Sequence, residues 1–408
     1  MGRKTGTRPL YDEGCSKMIF QKALRLQKLP PYVFAEVNKK KASLLAEGKD
    51  LIDLGMGDCD LPTPPAIIEA LHTATKDPKN HRYSSYIGLE EFRKAAAKWM
   101  SRRFSVDLDF KSEIMNVIGS KEGLAHFSEC YVNPGDFTLC PDPGYPVYTN
   151  ATILSGGSPL YYPLVWENDF RPTWSKIADD VWKSIKLIYI NFPHNPTGAT
   201  VSLDTYSELV ERAKKFGFII VSDSPYCEQG YESLPPCLLQ VPGAKDVGIE
   251  FFSFSKTYNM TGWRLGFAAG NAELISALHQ VKSTIDTGIF MPIQYAGIRA
   301  LQGPDEELIQ PSKEVYQYRR NLMVKGLREL GYSVFDGGAT FYLWIKNMPG
   351  KTSLESASLL MDQGVVVTPG HGFGKAGEGY FRMSLTVPEE RLKEVLQRMK
   401  GSGHFGDR

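Results

Sequence analysis

One stretch sets a nucleophilic amine among groups that suit a phosphate: Ser253-Phe254-Ser255-Lys256, running on through Thr257-Tyr258-Asn259-Met260-Thr261-Gly262-Trp263 to Arg264, Leu265 and Gly266. A lysine amine condenses with an aldehyde to form a Schiff base. Two serine hydroxyls beside it and an arginine fork eight residues on suit a phosphate group. A cofactor that is both aldehyde and phosphate ester, pyridoxal phosphate, fits this combination, with Lys256 as the covalent anchor. The same string also reads as an ordinary loop, so the surrounding elements decide between the two.

Those elements read as strands feeding helices. Residues 187–192 form an apolar strand, 193–198 a proline-glycine loop, and 203–216 a helix with Ser202 as N-cap. Leu203, Tyr206, Leu209, Val210 and Ala213 face inward, Gly217 closes the helix, and 218–221 is the next strand. This β-α-β crossover implies a parallel sheet. Asn195 and Asp223 follow its two strands, at the carboxyl edge where open α/β sheets bind ligands. A strand at 251–254 brings Lys256 to the same edge. Another, at 114–118, turns through Gly119 and Ser120 straight into a helix, whose free N–H groups favour an anion. A strand at 137–140 ends in Pro141-Asp142-Pro143-Gly144-Tyr145-Pro146, a rigid turn that projects one aromatic ring.

Further strands and helices frame this unit. A helix occupies the second half of 18–48, with Val33, Phe34, Val37, Ala42, Leu44 and Leu45 as its apolar stripe, and Gly48 stops it. A short strand at 51–54 precedes Gly55-Met56-Gly57-Asp58, whose glycines admit a ligand or make a turn; spacing alone favours the turn. Helices follow at 66–75 and 89–104, the latter with Phe92, Ala95, Ala96 and Trp99 on one side. Beyond Gly303 come a helix at 308–330, short strands at 332–335, 340–345, 365–368 and 380–386, and a closing helix at 388–400. That mixture predicts a smaller α+β unit. The expected division is 1–50 as an arm and part of the small domain, 51–302 as a large domain, and 303–408 as the small domain.

The composition sets outer limits. The 408 residues suffice for a large core in about two domains. A net charge of +1 gives no electrostatic case for nucleic acid or an anionic membrane. No run approaches the ~18 apolar residues of a membrane span. Six scattered cysteines without a CxxC pair favour free thiols in a reducing compartment, hence a cytoplasmic location. Residues 1–17 lack an apolar core and read as a loosely ordered tail rather than a secretory signal.

Four motifs in fixed order resemble the fold-type-I pyridoxal-phosphate aminotransferases of class I/II. They are Asn195-Pro196-Thr197-Gly198, Asp223-Ser224-Pro225-Tyr226, the stretch from Ser253 to Gly266, and Phe381-Arg382-Met383-Ser384. The resemblance implies an α/β fold: a large domain with a mostly parallel sheet flanked by helices, plus a smaller α+β domain. It implies that Lys256 anchors the cofactor and then shuttles protons. Asp223 would pair with the pyridine nitrogen, and Asn195 and Tyr226 with the phenolic oxygen. Ser253, Ser255, Arg264 and the N–H groups of Ser120 and Lys121 would hold the phosphate, and Tyr145 would stack on the ring. Arg382 would clamp the substrate α-carboxylate, and Gly57 would leave space beside it. Tyr83, in Tyr83-Ser84-Ser85-Tyr86-Ile87-Gly88-Leu89, matches the tyrosine that reaches a partner's phosphate, which implies a homodimer with shared sites. No metal is implied.

A narrower resemblance is to the LL-diaminopimelate aminotransferase branch. It rests on Leu29-Pro30-Pro31-Tyr32-Val33-Phe34, Gly119-Ser120-Lys121-Glu122-Gly123, Thr368-Pro369-Gly370-His371-Gly372-Phe373-Gly374 and Gly377-Glu378-Gly379-Tyr380-Phe381-Arg382. It implies that Tyr32 touches the substrate. The stretch Thr287-Gly288-Ile289-Phe290-Met291-Pro292-Ile293-Gln294 departs from the branch, whose best-known members carry an asparagine there. The expected reaction is a ping-pong transfer between an amino acid and a 2-oxo acid, with 2-oxoglutarate as acceptor. Alternatives on the same scaffold are an alanine- or aspartate-type aminotransferase and a carbon–sulfur lyase. A regulator using this fold as a sensor would carry a DNA-binding domain in front, and the residues ahead of Leu29 are few and not strongly basic.

Overall fold

Strands buried on both faces need helices above and below them, and their side chains then alternate between two cores. The computed structural model describes residues 11–12, 15–18, 20–30 and 34–400. In chain order its strands include β1 (Ile52–Asp53), β2 (Ile114–Val117), β3 (Phe137–Asp142), β4 (Ser158–Pro163), β5 (Ile185–Ile190), β6 (Ile219–Asp223), β7 (Gly248–Ser253) and β8 (Gly266–Gly270). Strands β2 to β8 form one seven-stranded sheet in the order β2-β8-β7-β6-β5-β3-β4. Only β8 is antiparallel to its neighbours; the others run in one direction.

The alternation shows in adjacent residues. Phe251 packs toward Phe127 of the helix Ser120–Tyr131, with ring centroids 6.1 Å apart. Phe252, next in the chain, faces the other way and meets Trp99 at 5.6 Å and Phe267 at 4.9 Å. Along β5, Leu187 and Tyr189 join the first core while Ile188 and Ile190 join the opposite one. Strand β8 is Gly266-Phe267-Ala268-Ala269-Gly270, without β-branched residues, so it carries no strand signal in sequence; full burial between two partners holds it instead.

The crossover from β5 to β6 passes through the helix Leu203–Phe216, which buries Tyr206, Leu209, Val210 and Ala213. Gly217 ends it in the left-handed region, φ 78°. Two local expectations are corrected. Leu203 is 40% exposed, since the packed face begins one turn later at Tyr206. Ser202 occupies the N-cap position without a side-chain cap; its hydroxyl lies 3.5 Å from that of Thr205.

Beyond the large sheet, β9 (Val334–Phe335), β10 (Tyr342–Lys346), β11 (Val365–Val366), β12 (Thr368–Pro369) and β13 (Tyr380–Ser384) build a smaller layer. Strands β9-β10-β13-β12 pair antiparallel in that order. The helices Gln310–Glu329 and Glu389–Lys400 cover it, with Met323, Leu327, Leu392 and Val395 against Leu343 and Met383. Strand β1 pairs in parallel with β11, so the chain visits this smaller layer before building the large sheet. Among the described residues, Cys59, Cys130, Cys140, Cys227 and Cys237 are free. No described helix is long and apolar enough to cross a membrane.

Candidate active site

The carboxyl ends of the parallel strands share one edge, and the reversed strand β8 begins there. Lys256 follows β7, Asp223 ends β6, Asn195 follows β5, Tyr145 follows β3 and Ser120 follows β2, while Arg264 lies just before β8. Topology thus gathers side chains that are far apart in sequence.

Lys256 lies in the short helix Phe254–Thr257 and is half-buried. Its Nζ donates to the carbonyl of Gly57, its ammonium faces the Phe341 ring at 5.6 Å, and Gln229 Nε2 donates to its carbonyl at 2.9 Å. Gly57 is glycine for a reason the spacing did not reveal. A Cβ there would sit 1.8 Å from the hydroxyl oxygen of Tyr342. Gly57→Ala is therefore expected to destabilise the protein by about 1–3 kcal/mol, measured by urea unfolding, because Tyr342 must be displaced.

Asp223 is fully enclosed. Its Oδ2 accepts from the Tyr148 hydroxyl at 2.8 Å, and its backbone carbonyl accepts from Asn191 Nδ2 at 2.7 Å. Its Oδ1 meets no donor within ordinary hydrogen-bond distance among the described residues. Burial pushes the carboxyl up to about 7, opposed by the Tyr148 and Ser120 hydroxyls and assisted by buried Glu250. A buried carboxylate oxygen without a donor is costly, and a protonated ring nitrogen would satisfy it.

The helix Ser120–Tyr131 opens with N–H groups that lack intrahelical partners. Gly119 precedes it at φ 75°, and a Cβ there would lie 2.3 Å from Arg264 Nη2. Arg264 is itself left-handed, φ 57°, a strained backbone for a residue with a side chain. Its guanidinium donates to the carbonyl of Thr261 at 2.9 Å and, longer, to that of Ile118 at 3.5 Å. Ser253 Oγ accepts from Ser255 N–H at 3.2 Å, capping the Lys256 helix. The floor of this cradle is braced from behind. Glu122 accepts from Ile118 N–H at 2.8 Å and from Lys282 Nζ at 2.5 Å, and Lys282, 2% exposed, also reaches Asp286 at 3.0 Å. His126 stands 3.2 Å from Glu122, but the Lys282 ammonium already supplies the cation that these carboxylates face.

Arg382, on β13, is buried. It donates to Asn195 Oδ1 at 2.7 Å and to the Gly55 carbonyl at 2.8 Å, while its Nε meets no partner among the described residues. Its guanidinium stacks over Tyr342 at 4.1 Å and Phe373 at 4.8 Å. The Asn195 side chain is thereby oriented, and its Nδ2 has no partner among the described residues. The Tyr226 hydroxyl lies 3.0 Å from that of Tyr342. Burial pushes the Tyr145 phenol up to about 12, with Asp223 and Tyr342 assisting and Arg382 and Arg264 opposing, and its ring meets that of Tyr148 edge-on at 6.0 Å.

Thus Lys256, Asn195, Tyr226, Tyr145, Asp223, Ser120, Ser253, Ser255 and Arg264 lie along one edge of the large sheet, and Gly57 and Arg382 reach it from outside that sheet through their bonds with Lys256 and Asn195. One expected residue is not drawn in by this chain alone, Tyr83, which is 89% exposed. Lys121 is exposed, and the group expected of it, its backbone N–H, lies in the first turn of the helix Ser120–Tyr131. Tyr32 lies outside the described residues. Sequence reasoning missed Tyr342, Tyr148 and Asn191. Of these, Asn191 lies four residues before Asn195 and accepts from its N–H at 2.9 Å, and Tyr148 lies three residues after Tyr145, whereas Tyr342 stands beside no motif.

The aminotransferase class I and II family matches residues 49–399. LL-diaminopimelate aminotransferase of Aquifex aeolicus is 52% identical over 94% of this chain and 99% of its own length. The LL-diaminopimelate aminotransferase of Maridesulfovibrio salexigens is 49% identical over 93% of this chain and 98% of its own. Among solved structures, a probable N-succinyldiaminopimelate aminotransferase from Thermus thermophilus superposes with a TM-score of 0.86 at 35% identity, over 91% of this chain and all of that one. The chain belongs to the class I and II aminotransferases, as a fold-type-I enzyme of the LL-diaminopimelate aminotransferase branch.

Proposed function

We propose that this aminotransferase uses pyridoxal phosphate and moves an amino group between LL-diaminopimelate and a 2-oxo acid, with 2-oxoglutarate and glutamate as the second pair. The substrate is supported by relatives of that name at 52% and 49% identity across nearly their whole length. The cofactor is supported by one observation above the rest. Asp223 is a buried carboxylate with a free oxygen, on the same edge as a half-buried lysine and an anion cradle. These residues fit the group in charge, polarity and position.

When bound, the cofactor supplies an electron sink for charge developing at the substrate α-carbon. The protein's part is to hold, orient and move protons. Lys256 Nζ would hold the aldehyde carbon at rest and, once freed, carry a proton from and to the substrate α-carbon. Asp223 Oδ1 would accept the ring N–H. Asn195 Nδ2 and the Tyr226 hydroxyl would donate to the phenolic oxygen, and Tyr145 would cover one face of the ring. The amides of Ser120 and Lys121, the Ser253 and Ser255 hydroxyls and Arg264 would bind the phosphate, joined by Tyr83 of a second copy. Tyr32 would touch the substrate from the N-terminal arm. The proposal extends to a cytoplasmic homodimer. Within each copy, 1–50 is the arm and part of the small domain, 51–302 the cofactor-holding domain, and 303–408 the small domain that brings Arg382.

Arg382 would take the substrate α-carboxylate, for which its unpartnered Nε and planar fork are suited. Arg382→Lys is expected to raise KM for the amino acid by about 10–100-fold, read in steady-state kinetics, since a point charge replaces a fork. The substrate assignment is tested by mixing cofactor-loaded enzyme with single amino acids and following the visible absorbance. LL-Diaminopimelate and glutamate should both discharge it; an inert LL-diaminopimelate beside reactive alanine or aspartate would overturn the substrate. Pyruvate released from cystathionine without any 2-oxo acid would point instead to the lyase.

A further inference from the structure

Tyr342 belongs to none of the motifs, yet it touches three of the groups assigned above. It sits at the start of β10 and is 5% exposed. Its hydroxyl is 3.0 Å from that of Tyr226, its ring lies 4.1 Å beneath the Arg382 guanidinium, and Gly57 lacks a side chain where that hydroxyl stands. Its own backbone N–H donates to Thr340 Oγ1 at 3.1 Å, which fixes the strand at this point.

We propose that Tyr342 is a positioning residue that couples two halves of the site: through its hydroxyl it orients Tyr226 toward the cofactor's phenolic oxygen, and through its ring it holds Arg382 toward the substrate carboxylate. This rests on the roles given to Tyr226 and Arg382 under the proposed function. The direction of the hydroxyl pair follows from proton counting. Tyr226 has one proton; if it donates that proton to the cofactor, the bond with Tyr342 must run from Tyr342 to Tyr226. A hydroxyl that accepts a bond becomes a stronger donor, so Tyr342 strengthens what Tyr226 gives. Arg382 is held differently. Its fork already donates to Asn195 and Gly55, and the ring supplies an apolar, electron-rich face that keeps the cation in plane without using a donor.

The two functions separate by substitution. Tyr342→Phe keeps the ring and removes the hydroxyl. It should move the pH midpoint of the loaded enzyme's visible band upward by about half a pH unit, because a weaker donor stabilises the phenolate less. Its KM for the amino acid should stay within about twofold of the parent's. Tyr342→Leu removes both and should add a rise in KM of about tenfold. Because the hydroxyl acts through Tyr226, the double variant Tyr226→Phe with Tyr342→Phe should shift the midpoint no further than Tyr226→Phe alone. An unmoved midpoint in Tyr342→Phe, additive shifts in the double variant, or an unchanged KM in Tyr342→Leu would each overturn the coupling. Tyr226→Phe and Arg382→Lys serve as references. If they leave midpoint and KM unmoved, the underlying site assignment falls; if they respond and the Tyr342 variants do not, only the coupling falls.

Discussion

Replacing Lys256 by alanine is expected to lower kcat by about 10⁴-fold or more and to abolish the visible band of the lysine-bound form, leaving in a mixture with pyridoxal phosphate only the absorbance of the free aldehyde. Two losses coincide in one atom. Nζ is the covalent tether, and it is the proton carrier at the substrate α-carbon. The structure also predicts what stays the same. Among the described residues the amine makes a single hydrogen bond, to the Gly57 carbonyl, while Gln229 holds the Lys256 backbone independently of the side chain. Thermal unfolding of the cofactor-free variant should therefore match that of the parent within a few degrees. A visible spectrum identical to the parent's would remove Lys256 from the tethering role. A small added amine that restores part of the turnover would separate proton transfer from tethering.

The second large effect is at Asp223, where stability and function pull apart. Asp223→Asn should lower kcat by about 10²-fold or more, because an amide cannot hold the ring nitrogen in its protonated form. The same substitution should stabilise the cofactor-free protein at alkaline pH. The folded carboxyl is raised from 3.8 to about 7 by burial. A group whose folded value is raised holds its proton longer when folded than when unfolded. Its contribution is thus fully present below about pH 4, is lost progressively up to about pH 7, and leaves the burial cost of a bare carboxylate above that. Each pH unit in this window costs about 1.4 kcal/mol at most. Urea midpoints of parent and Asp223→Asn, both without cofactor, should diverge from pH 5 to pH 8 in the variant's favour. Addition of pyridoxal phosphate should reverse the order, since a protonated ring restores a counter-charge to Oδ1. Parallel curves across this range would show that Asp223 does not titrate as its burial requires.

How far the sequence could be read depends on what each signal reports. The crossover from 185 to 223 was legible because a continuous apolar run, a helix with one apolar face and a closing glycine agree with one another. That placed Asn195 and Asp223 on one edge, and the glycine-to-helix junction placed Ser120 there too. Strand β8 was not legible, because Gly266-Phe267-Ala268-Ala269-Gly270 has none of the β-branched residues that mark a strand. Arg264 was found through its spacing from Lys256, and its left-handed backbone against Gly119 emerged only in three dimensions. Tyr342 had no local signal. In Thr340-Phe341-Tyr342-Leu343-Trp344 it reads as one more aromatic in a buried strand, and its role depends on partners near positions 57, 226 and 382. Gly57 illustrates the same limit. Spacing read it as a turn and the family resemblance as room beside a substrate, whereas the group standing where its side chain would be is the Tyr342 hydroxyl of the protein itself.

The pairing of β1 with β11, and the bond from Arg382 to the Gly55 carbonyl across 327 positions, set an order for events during synthesis. At ribosomal speeds of about 5–20 residues per second, tens of seconds separate emergence of the segment around Gly55 from that of Arg382. Throughout that interval the seven-stranded sheet can assemble while β1 waits without a neighbour. The segment 51–54 is therefore open to wrong strand partners until Val365 and Val366 emerge, and a chaperone that shields this short apolar stretch would act over that interval.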